Sequence, residues 1–230
     1  MISLPHDTWI LAIQTEFCKL LIEGAKEIGV LLSHEHAMAF RKYLDELKIW
    51  AKHMNLIRRV SEREIIIKDF LDSLTATKHL SQGASIIDLG SGAGFPSIPI
   101  KIVRPDLRVI LLEATRKKVY FLKNLVRRLG LEDTEVLWSS AKGEMGANSL
   151  APVDFVLSRA FGPLRKFSTI GSRFLKQGGI LLAMKGKKGE TELGKDLPSL
   201  EKMGLELAFL NKLRLPFLGH QRLLIGLRKK

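Results

Sequence analysis

Residues 87–113 have the sequence IDLGSGAGFPSIPIKIVRPDLRVILLE, in which two apolar strands enclose a glycine-rich turn and an apolar helix. The order strand, tight turn, helix and strand is typical of a parallel β-α-β unit. Glycine lets a ligand approach the backbone closely, and the turn places backbone amides at the positive end of the helix. Such a turn also occurs without a ligand and in dinucleotide-dependent dehydrogenases, so Gly90, Gly92 and Gly94 alone leave the function open.

Two acidic residues next to this turn narrow the choice of ligand. Asp88 precedes the turn, where its carboxylate would repel a pyrophosphate but would suit a ligand carrying an ammonium and a sulfonium group. Glu113 ends the second strand, at a spacing that lets a carboxylate accept hydrogen bonds from both ribose hydroxyls of an adenosine. Glu113 fits both kinds of ligand, whereas Asp88 favours S-adenosylmethionine over a dinucleotide. The combination predicts a methyl-donor site.

The rest of the chain predicts the fold around this unit. Residues 8–51 and 61–74 have apolar residues spaced by three and four, as in amphipathic helices. After residue 84, short apolar strands alternate with helical stretches, which indicates a parallel sheet flanked by helices. We expect an α/β fold of the Rossmann-like class I S-adenosylmethionine-dependent methyltransferase type, with a mostly parallel sheet, an antiparallel C-terminal edge, a helical extension at 1–80 and the methyltransferase domain at 81–230. The predicted strands are 85–89, 108–113, 135–138, 154–158, 180–184, 205–213 and 222–228.

Composition indicates one folded core and no membrane segment. The 230 residues suffice for one α/β domain with an appendage, and 46% apolar with 27% charged residues is ordinary for a folded protein. No apolar run reaches the ~18 residues that span a bilayer, and no secretory signal is recognisable. Cys18 is the only cysteine, and no cluster of Cys and His has metal-ligand spacing. We expect a cytoplasmic, monomeric protein without disulfide, metal or membrane contact.

The chain carries a large surplus of positive charge. Its 37 Lys and Arg against 24 Asp and Glu give a formal net charge of +13. Lys and Arg side chains that bind phosphates release the counterions of the nucleic acid. A protein with this excess of positive charge therefore has sequence-independent affinity for nucleic acid, and this affinity falls as the salt concentration rises. A charge that only keeps the protein in solution would give the same composition. Charge alone therefore does not decide whether nucleic acid is the partner.

Several longer motifs match one known family. They are WAKHMNLI at 50–57, FLDS at 70–73, RKKVYFLKNL at 116–125, SRAF at 158–161 and MKG at 184–186, together with the segment 87–113. With these motifs the chain resembles the RsmG family, also called GidB, of bacterial small-subunit ribosomal RNA guanine-N7 methyltransferases. The Phe-Pro and Ile-Pro pairs after the glycine turn are more specific than the glycines, and the resemblance covers most of the chain.

The resemblance implies an activity and a donor site. The implied reaction moves a methyl group from S-adenosylmethionine to N7 of one guanosine in 16S ribosomal RNA, free or in the small subunit, and leaves S-adenosylhomocysteine. The implied donor site consists of the glycine turn, Phe95, Glu113, the segment Ala141 and Lys142, and Arg159.

Two stretches depart from the family pattern. Where the family usually has an Arg-His pair before its Asp-Ser, this chain has Lys68 and Asp69, so any role of that histidine is absent. Where the family tends to have Arg-x-Glu-Glu after the third strand, residues 140–144 are SAKGE. We therefore expect the backbone of this segment, and not its side chains, to contact the adenine.

Guanine N7 already carries a nucleophilic lone pair, so its methylation needs no general base and depends on positioning. We expect Arg159, directly after the fourth strand, to orient the donor carboxylate or the guanine. Lys185, after the fifth strand, is expected to contact an RNA phosphate. The chain contains no Asn-Pro-Pro-Tyr or Asp-Pro-Pro-Tyr sequence and no cysteine at a strand end, which argues against amino and C5 methylation. The residues expected along the RNA are Arg116, Lys117, Lys118, Lys185, Lys187, Lys188 and Arg222.

Other functions fit parts of the same sequence. A methyltransferase acting on a small molecule or a protein would share the donor site, because this fold serves many acceptors. A non-catalytic RNA-binding module would explain the charge but not the donor site, and a dehydrogenase would bind a nicotinamide dinucleotide. Binding of S-adenosylmethionine would exclude the non-catalytic RNA-binding module. RNA affinity that falls with salt would favour RNA over a small molecule or a protein as the acceptor.

Overall fold

A seven-stranded sheet in the order β3-β2-β1-β4-β5-β7-β6 forms the centre of the protein, which we describe from a computed structural model at residues 16–57, 61–139 and 150–230. The first five strands are parallel, and β7 runs antiparallel to both β5 and β6. This topology confirms the predicted fold class. The strands are β1 Ser85–Leu89, β2 Arg108–Glu113, β3 Thr134–Trp138, β4 Val153–Ser158, β5 Leu175–Lys185, β6 Leu205–Arg214 and β7 Gln221–Lys229.

The central strand β1 lies where the strand order reverses. It pairs with β2 on one side and with β4 on the other, so the chain leaves β1 for one edge of the sheet and later returns to the other. In open α/β sheets, the helices after such strands diverge and leave a crevice beyond their carboxyl ends. The glycine turn that follows β1 therefore lies at the usual ligand site of this architecture.

Strand β5 begins earlier than its sequence predicted. Apolar periodicity placed its start at Ile180, but the strand begins at Leu175 and contains the Gly178-Gly179 pair. Gly178 has a φ of +76°, and the pairing with β4 shifts register between Val153 and Phe155. The glycines form an irregularity inside the strand, because glycine adopts this backbone conformation at little steric cost.

Two of the helices have clear sequence signals at one end. The second helix is capped by Ser33, whose side chain accepts a hydrogen bond from the His36 amide while the Ser33 amide donates to the His36 ring. The sixth helix, Arg116–Leu129, ends at Gly130, which has the left-handed conformation common at helix ends. The helices are α1 Glu16–Glu27, α2 His34–Ala51, α3 Glu62–Ile65, α4 Asp72–Leu74, α5 Ser97–Val103, α6 Arg116–Leu129, α7 Leu164–Gly171 and α8 Gly189–Lys202, with a π-helix at Ile66–Leu71 and 3₁₀ turns at Thr77–His79 and Ser172–Phe174.

The N-terminal helices and one face of the sheet share a hydrophobic core. Phe40, Tyr43 and Phe70 from these helices pack in one buried cluster with Ile98 and Leu111 of the sheet unit. A second cluster on the other face contains buried residues of β1, β4, β5, α7 and α8. The N-terminal helices are thus one layer of a three-layer structure, and they reach the carboxyl edge where β1 ends.

Within residues 16–57, 61–139 and 150–230, no helix is long and apolar enough to cross a bilayer. The same residues contain no group of three or more His, Cys, Asp or Glu side chains that could hold a metal ion.

Candidate active site

The glycine turn after β1 folds back on the end of β2. The amides of Gly90 and Ser91 both donate to the carbonyl of Leu112, at 2.9 and 3.1 Å, and the Gly94 amide donates to the Ser91 carbonyl at 2.7 Å. Four backbone amides of the turn, counting that of Gly92, therefore already have acceptors inside the protein. A pyrophosphate would have to compete with these acceptors for the backbone amides of the turn. The turn therefore suits a ligand that does not need several free amides to bind an anionic group.

Gly94 shows why the turn requires glycine. Its φ is +96°, and a Cβ there would lie 2.7 Å from the Tyr43 hydroxyl and 2.8 Å from Ile98 Cγ1. L-residues with side chains rarely adopt this φ, and the close atoms belong to packed core residues. The turn and the N-terminal helix α2 are therefore in direct contact.

Glu113, at the end of β2, bridges two backbone segments. Its Oε2 accepts from the Gly92 amide at 2.9 Å, and its Oε1 accepts from the Thr115 amide at 2.8 Å. A carboxylate offers about four lone-pair positions, so two acceptor positions remain for the hydroxyls of a ribose. The geometry fits the predicted ribose contact, and the two amides fix the carboxylate in place.

Asp88 lies fully buried beneath the turn. Its Oδ2 accepts from the Ser97 amide at 3.3 Å, which ties β1 to the first residue of α5. Burial raises the pKa of Asp88 to about 7, despite the hydrogen bonds from Ser97. Here the carboxyl group supports the turn from below, and its direct contact with a donor stays a prediction.

The guanidinium of Arg159 lies over the aromatic ring of Phe95. The Phe95 ring stacks on Tyr43 with centroids 5.4 Å apart, and the Arg159 guanidinium carbon lies 4.7 Å from the centroid of Phe95. Tyr43 also donates its hydroxyl to the Ala93 carbonyl, and burial raises its pKa well above the ordinary value. Phe95 is buried by these contacts, so the structure shows it as support for Arg159.

Arg159 follows β4 and is held by the segment before β1. Its Nη2 donates to Asp69 Oδ1 at 2.7 Å, and its Nη1 donates to the Lys68 carbonyl at 2.9 Å. Asp72 Oδ2 lies 3.7 Å from Nη1. Sequence reasoning missed these partners, although the departure at Asp69 was the signal that could have pointed to them.

A cavity of about 240 Å³ lies at the carboxyl ends of β1 and β4, and its lining contains the glycine turn and Arg159 but not Glu113, which is hydrogen-bonded to the turn from behind the lining. The glycine turn that follows β1 and the residues Arg159 and Ala160 that follow β4 both line this cavity. Its chemistry suits a zwitterionic nucleoside: Glu113 next to the turn for ribose hydroxyls and an arginine fork for a carboxylate. The cavity lining also includes Leu56, Ile57, Asp69, Phe95 and the turn residues Gly90, Ser91, Gly92 and Ala93.

Comparison with known proteins identifies the family. Residues 36–223 match the model of the GidB family, described as rRNA small subunit methyltransferase G. The chain belongs to this family. Relatives named ribosomal RNA small subunit methyltransferase G are 39% identical in Geotalea uraniireducens and 36% identical in Geobacter metallireducens, each match covering 92% of this chain and 96% of the relative.

Solved structures show the same fold. An S-adenosylmethionine-dependent methyltransferase from Aquifex aeolicus has a TM-score of 0.53 and 22% identity, covering 73% of this chain and 93% of that one. Fibrillarin from Aeropyrum pernix, with natively bound S-adenosylmethionine, has a TM-score of 0.51 and 18% identity, covering 64% and 67%. The predicted family, enzyme class and cofactor are confirmed: this member of the rRNA small subunit methyltransferase G family uses S-adenosylmethionine.

In this methyltransferase, Lys185 and Arg222 contact protein groups beside the cavity. Lys185 Nζ donates to the Gly162 carbonyl at 2.6 Å and pairs with Glu192 Oε2 at 3.0 Å. Arg222 Nε donates to Asp72 Oδ1 at 2.9 Å. Both side chains are largely buried, so an RNA contact by either one stays a prediction.

The other predicted RNA-binding residues lie at the same sheet edge of the methyltransferase. Arg116 starts α6 and stacks on Trp138, with the guanidinium carbon 4.2 Å from the ring centroid. Lys117 is exposed beside Arg116, and Lys118 is half-buried. Lys187 and Lys188 are exposed in the loop after β5, while Ala141 and Lys142 lie outside the described residues.

Proposed function

We propose that this protein transfers the methyl group of S-adenosylmethionine to N7 of a specific guanosine in 16S ribosomal RNA. The observation that carries the proposal is that the glycine turn is hydrogen-bonded to Glu113 and shares a cavity with Arg159, in a chain that matches the rRNA small subunit methyltransferase G family over residues 36–223. The sulfonium of the donor supplies an electrophilic methyl group, and the lone pair of N7 forms the new bond as the sulfur–carbon bond breaks.

The protein contributes by holding the reactants. Because N7 needs no proton removed, the site requires fixed contacts to the donor rather than a general base, and positioning two reactants supplies roughly 7 to 11 kcal/mol of a barrier. Glu113 is fixed by two amides, and Arg159 is fixed by Asp69, by a carbonyl and by the Phe95 ring. These restraints support a site that is formed before the donor binds.

A basic groove at the same edge supports RNA as the acceptor. It encloses about 240 Å³ and includes Lys187, Lys212, Arg214 and Arg222 against the single acid Glu190. The pairs Lys185 with Leu223 and Arg214 with Gln221 place it at the carboxyl end of β5 and the adjacent end of β6. Strand β7 is three strands from β1, and at ~4.8 Å per strand this is about 14 Å. Phosphates next to the target nucleotide would suit this groove.

Methyl transfer to RNA tests the proposal. The protein is incubated with S-adenosylmethionine carrying a radiolabelled methyl group, and with small ribosomal subunits or naked 16S RNA that lack this modification. Nucleoside analysis is expected to give labelled 7-methylguanosine. Unlabelled RNA with intact donor binding would contradict the acceptor and would direct the search to small molecules or proteins.

We also propose that the protein acts as a cytoplasmic monomer. Sedimentation of the purified chain, with and without donor, measures its mass in solution. A mass of about 26 kDa supports the proposal, since the chain is 25.8 kDa, and twice that mass contradicts it.

A further inference from the structure

The segment Glu62–Leu74 interrupts its α-helical hydrogen bonding with a π-helix at Ile66–Leu71. π-helical turns are rare and frequently occur at functional sites. This one directs the Lys68 carbonyl and the Asp69 carboxylate at the guanidinium of Arg159, which lies at the end of β4. A residue from the N-terminal layer is thus in contact with the wall of the donor cavity.

The two carboxylates of this segment have different arginine partners. Asp69 lies 2.7 Å from Arg159 Nη2, whereas Asp72 lies 2.9 Å from Arg222 Nε and 3.7 Å from Arg159 Nη1. Both carboxylates are buried, and the two arginines balance their charge. Asp69 is therefore the main ionic partner of Arg159, and Asp72 is that of Arg222.

We propose that Asp69 is a positioning residue for methyl transfer, which holds Arg159 at the cavity wall so that the arginine can bind the carboxylate of the donor. This proposal rests on the donor site assigned under the proposed function. A guanidinium fixed by Asp69, Lys68 and Phe95 loses little conformational freedom when it binds an anion. If Asp69 becomes neutral, the nearest remaining carboxylate is Asp72, and Arg159 is expected to move towards it and away from this orientation.

A change of Asp69→Asn keeps an oxygen for the hydrogen bond and removes the charge. The guanidinium then loses the ion pair that holds it and keeps only a weaker hydrogen bond, so we expect donor affinity to fall about tenfold. The measurement is calorimetric binding of S-adenosylhomocysteine and, in parallel, of 5′-methylthioadenosine, which lacks the carboxylate and ammonium. Only the first ligand is expected to bind more weakly, because only it reaches Arg159.

The double variant Asp69→Asn with Arg159→Ala tests whether Asp69 acts through the arginine. We expect this double variant to bind S-adenosylhomocysteine as weakly as Arg159→Ala alone, since residues in one network are not additive. Glu46→Gln is the matched control. Glu46 is a buried carboxylate that pairs with Arg128 at 3.0 Å and is absent from the cavity lining.

Three results would overturn the proposal. One is unchanged affinity of Asp69→Asn for S-adenosylhomocysteine. Another is a general effect on the fold. It would appear as an equal loss of affinity for both ligands in Asp69→Asn, or as the same loss of affinity for S-adenosylhomocysteine in Glu46→Gln. The third is a further loss when Asp69→Asn is added to Arg159→Ala. None of these measurements involves RNA. If the expected binding pattern were found but RNA were not methylated, the proposal of RNA as the acceptor would be contradicted and the positioning role of Asp69 would stand.

Discussion

Asp88 is a buried carboxyl group whose titration affects the stability of the fold. Its pKa is about 7 in the folded protein, against an ordinary value of 3.8, because burial disfavours the charged form. Between these values the unfolded chain releases a proton that the folded protein keeps, so the stability that Asp88 contributes falls as pH rises and is level above about pH 7. The acidic side of this window is therefore the more stable one for this group.

Asp88→Asn is expected to remove that pH dependence. The asparagine keeps an oxygen for the Ser97 amide and has no charge to bury. We expect the melting temperature of the ligand-free variant, relative to the unchanged protein, to be higher by several degrees at about pH 7.5 than at about pH 4.5. The same difference at both pH values would show that Asp88 does not titrate in this range.

Glu113→Gln tests the ribose contact at the other side of the turn. The substitution retains one acceptor oxygen for the Gly92 or Thr115 amide and removes the charge that would strengthen bonds from two ribose hydroxyls. We expect the dissociation constant of S-adenosylhomocysteine to rise about tenfold, and that of 5′-methylthioadenosine to rise equally, because both contain the ribose. An unchanged constant for either ligand would contradict the ribose role.

The glycine turn, with the two strands beside it, is the part of the fold that the sequence predicted most fully. Glycine spacing and two flanking apolar runs predicted β1 and β2 to the residue. The irregular start of β5 was not predictable, because Gly178 has a positive φ inside a strand and not at a turn. The hydrogen bond from Arg159 to Asp69 was not predicted either, since these residues are far apart in sequence and meet only through tertiary packing.

Two glycines of the turn are expected to respond differently to alanine. Gly92 has a φ of +60° and only the Gly90 carbonyl near a Cβ, at 3.8 Å, whereas at Gly94 a Cβ would meet Tyr43 and Ile98 below 3 Å. Gly92→Ala should cost about 1 to 2 kcal/mol of unfolding free energy for its backbone conformation alone. Gly94→Ala should cost roughly 2 to 3 kcal/mol more, because core atoms must also move. Urea unfolding measures both, and equal losses would contradict this packing.

The N-terminal helices and the sheet form one hydrophobic core. Tyr43 and Phe70 contact Phe95 beside the glycine turn, so the N-terminal layer supports the cavity at this turn as well as covering the sheet. The family resemblance predicted donor-site roles for Phe95, Glu113 and Arg159, which stay predictions, and it did not show that Asp69 and Tyr43 lie beside these residues. The boundary at residue 80 stays a prediction.

The basic groove gives a prediction for the complete protein and its RNA. Lys187 and Arg214 are exposed in the groove, at the carboxyl edge of the sheet, whereas Arg173 and Lys202 are exposed near the amino ends of β5 and β6. Both pairs carry the same charge. Replacing one pair or the other therefore changes the net charge equally, and a difference in RNA binding between the two variants reports a local contact. Neither pair lines the donor cavity.

Lys187→Ala with Arg214→Ala is expected to weaken binding of unmodified 16S RNA on the order of tenfold at moderate salt, because two phosphate contacts are lost. The slope of log affinity against log salt should decrease by about 0.7 to 0.9 for each contact. Arg173→Ala with Lys202→Ala removes equal charge at the opposite edge and should change both quantities much less, while S-adenosylhomocysteine affinity should stay unchanged in both variants. Filter binding over a salt series measures the slopes. Equal losses of RNA affinity in the two variants would mean that RNA binding depends only on the net charge of the protein. The groove would then have no part in RNA recognition.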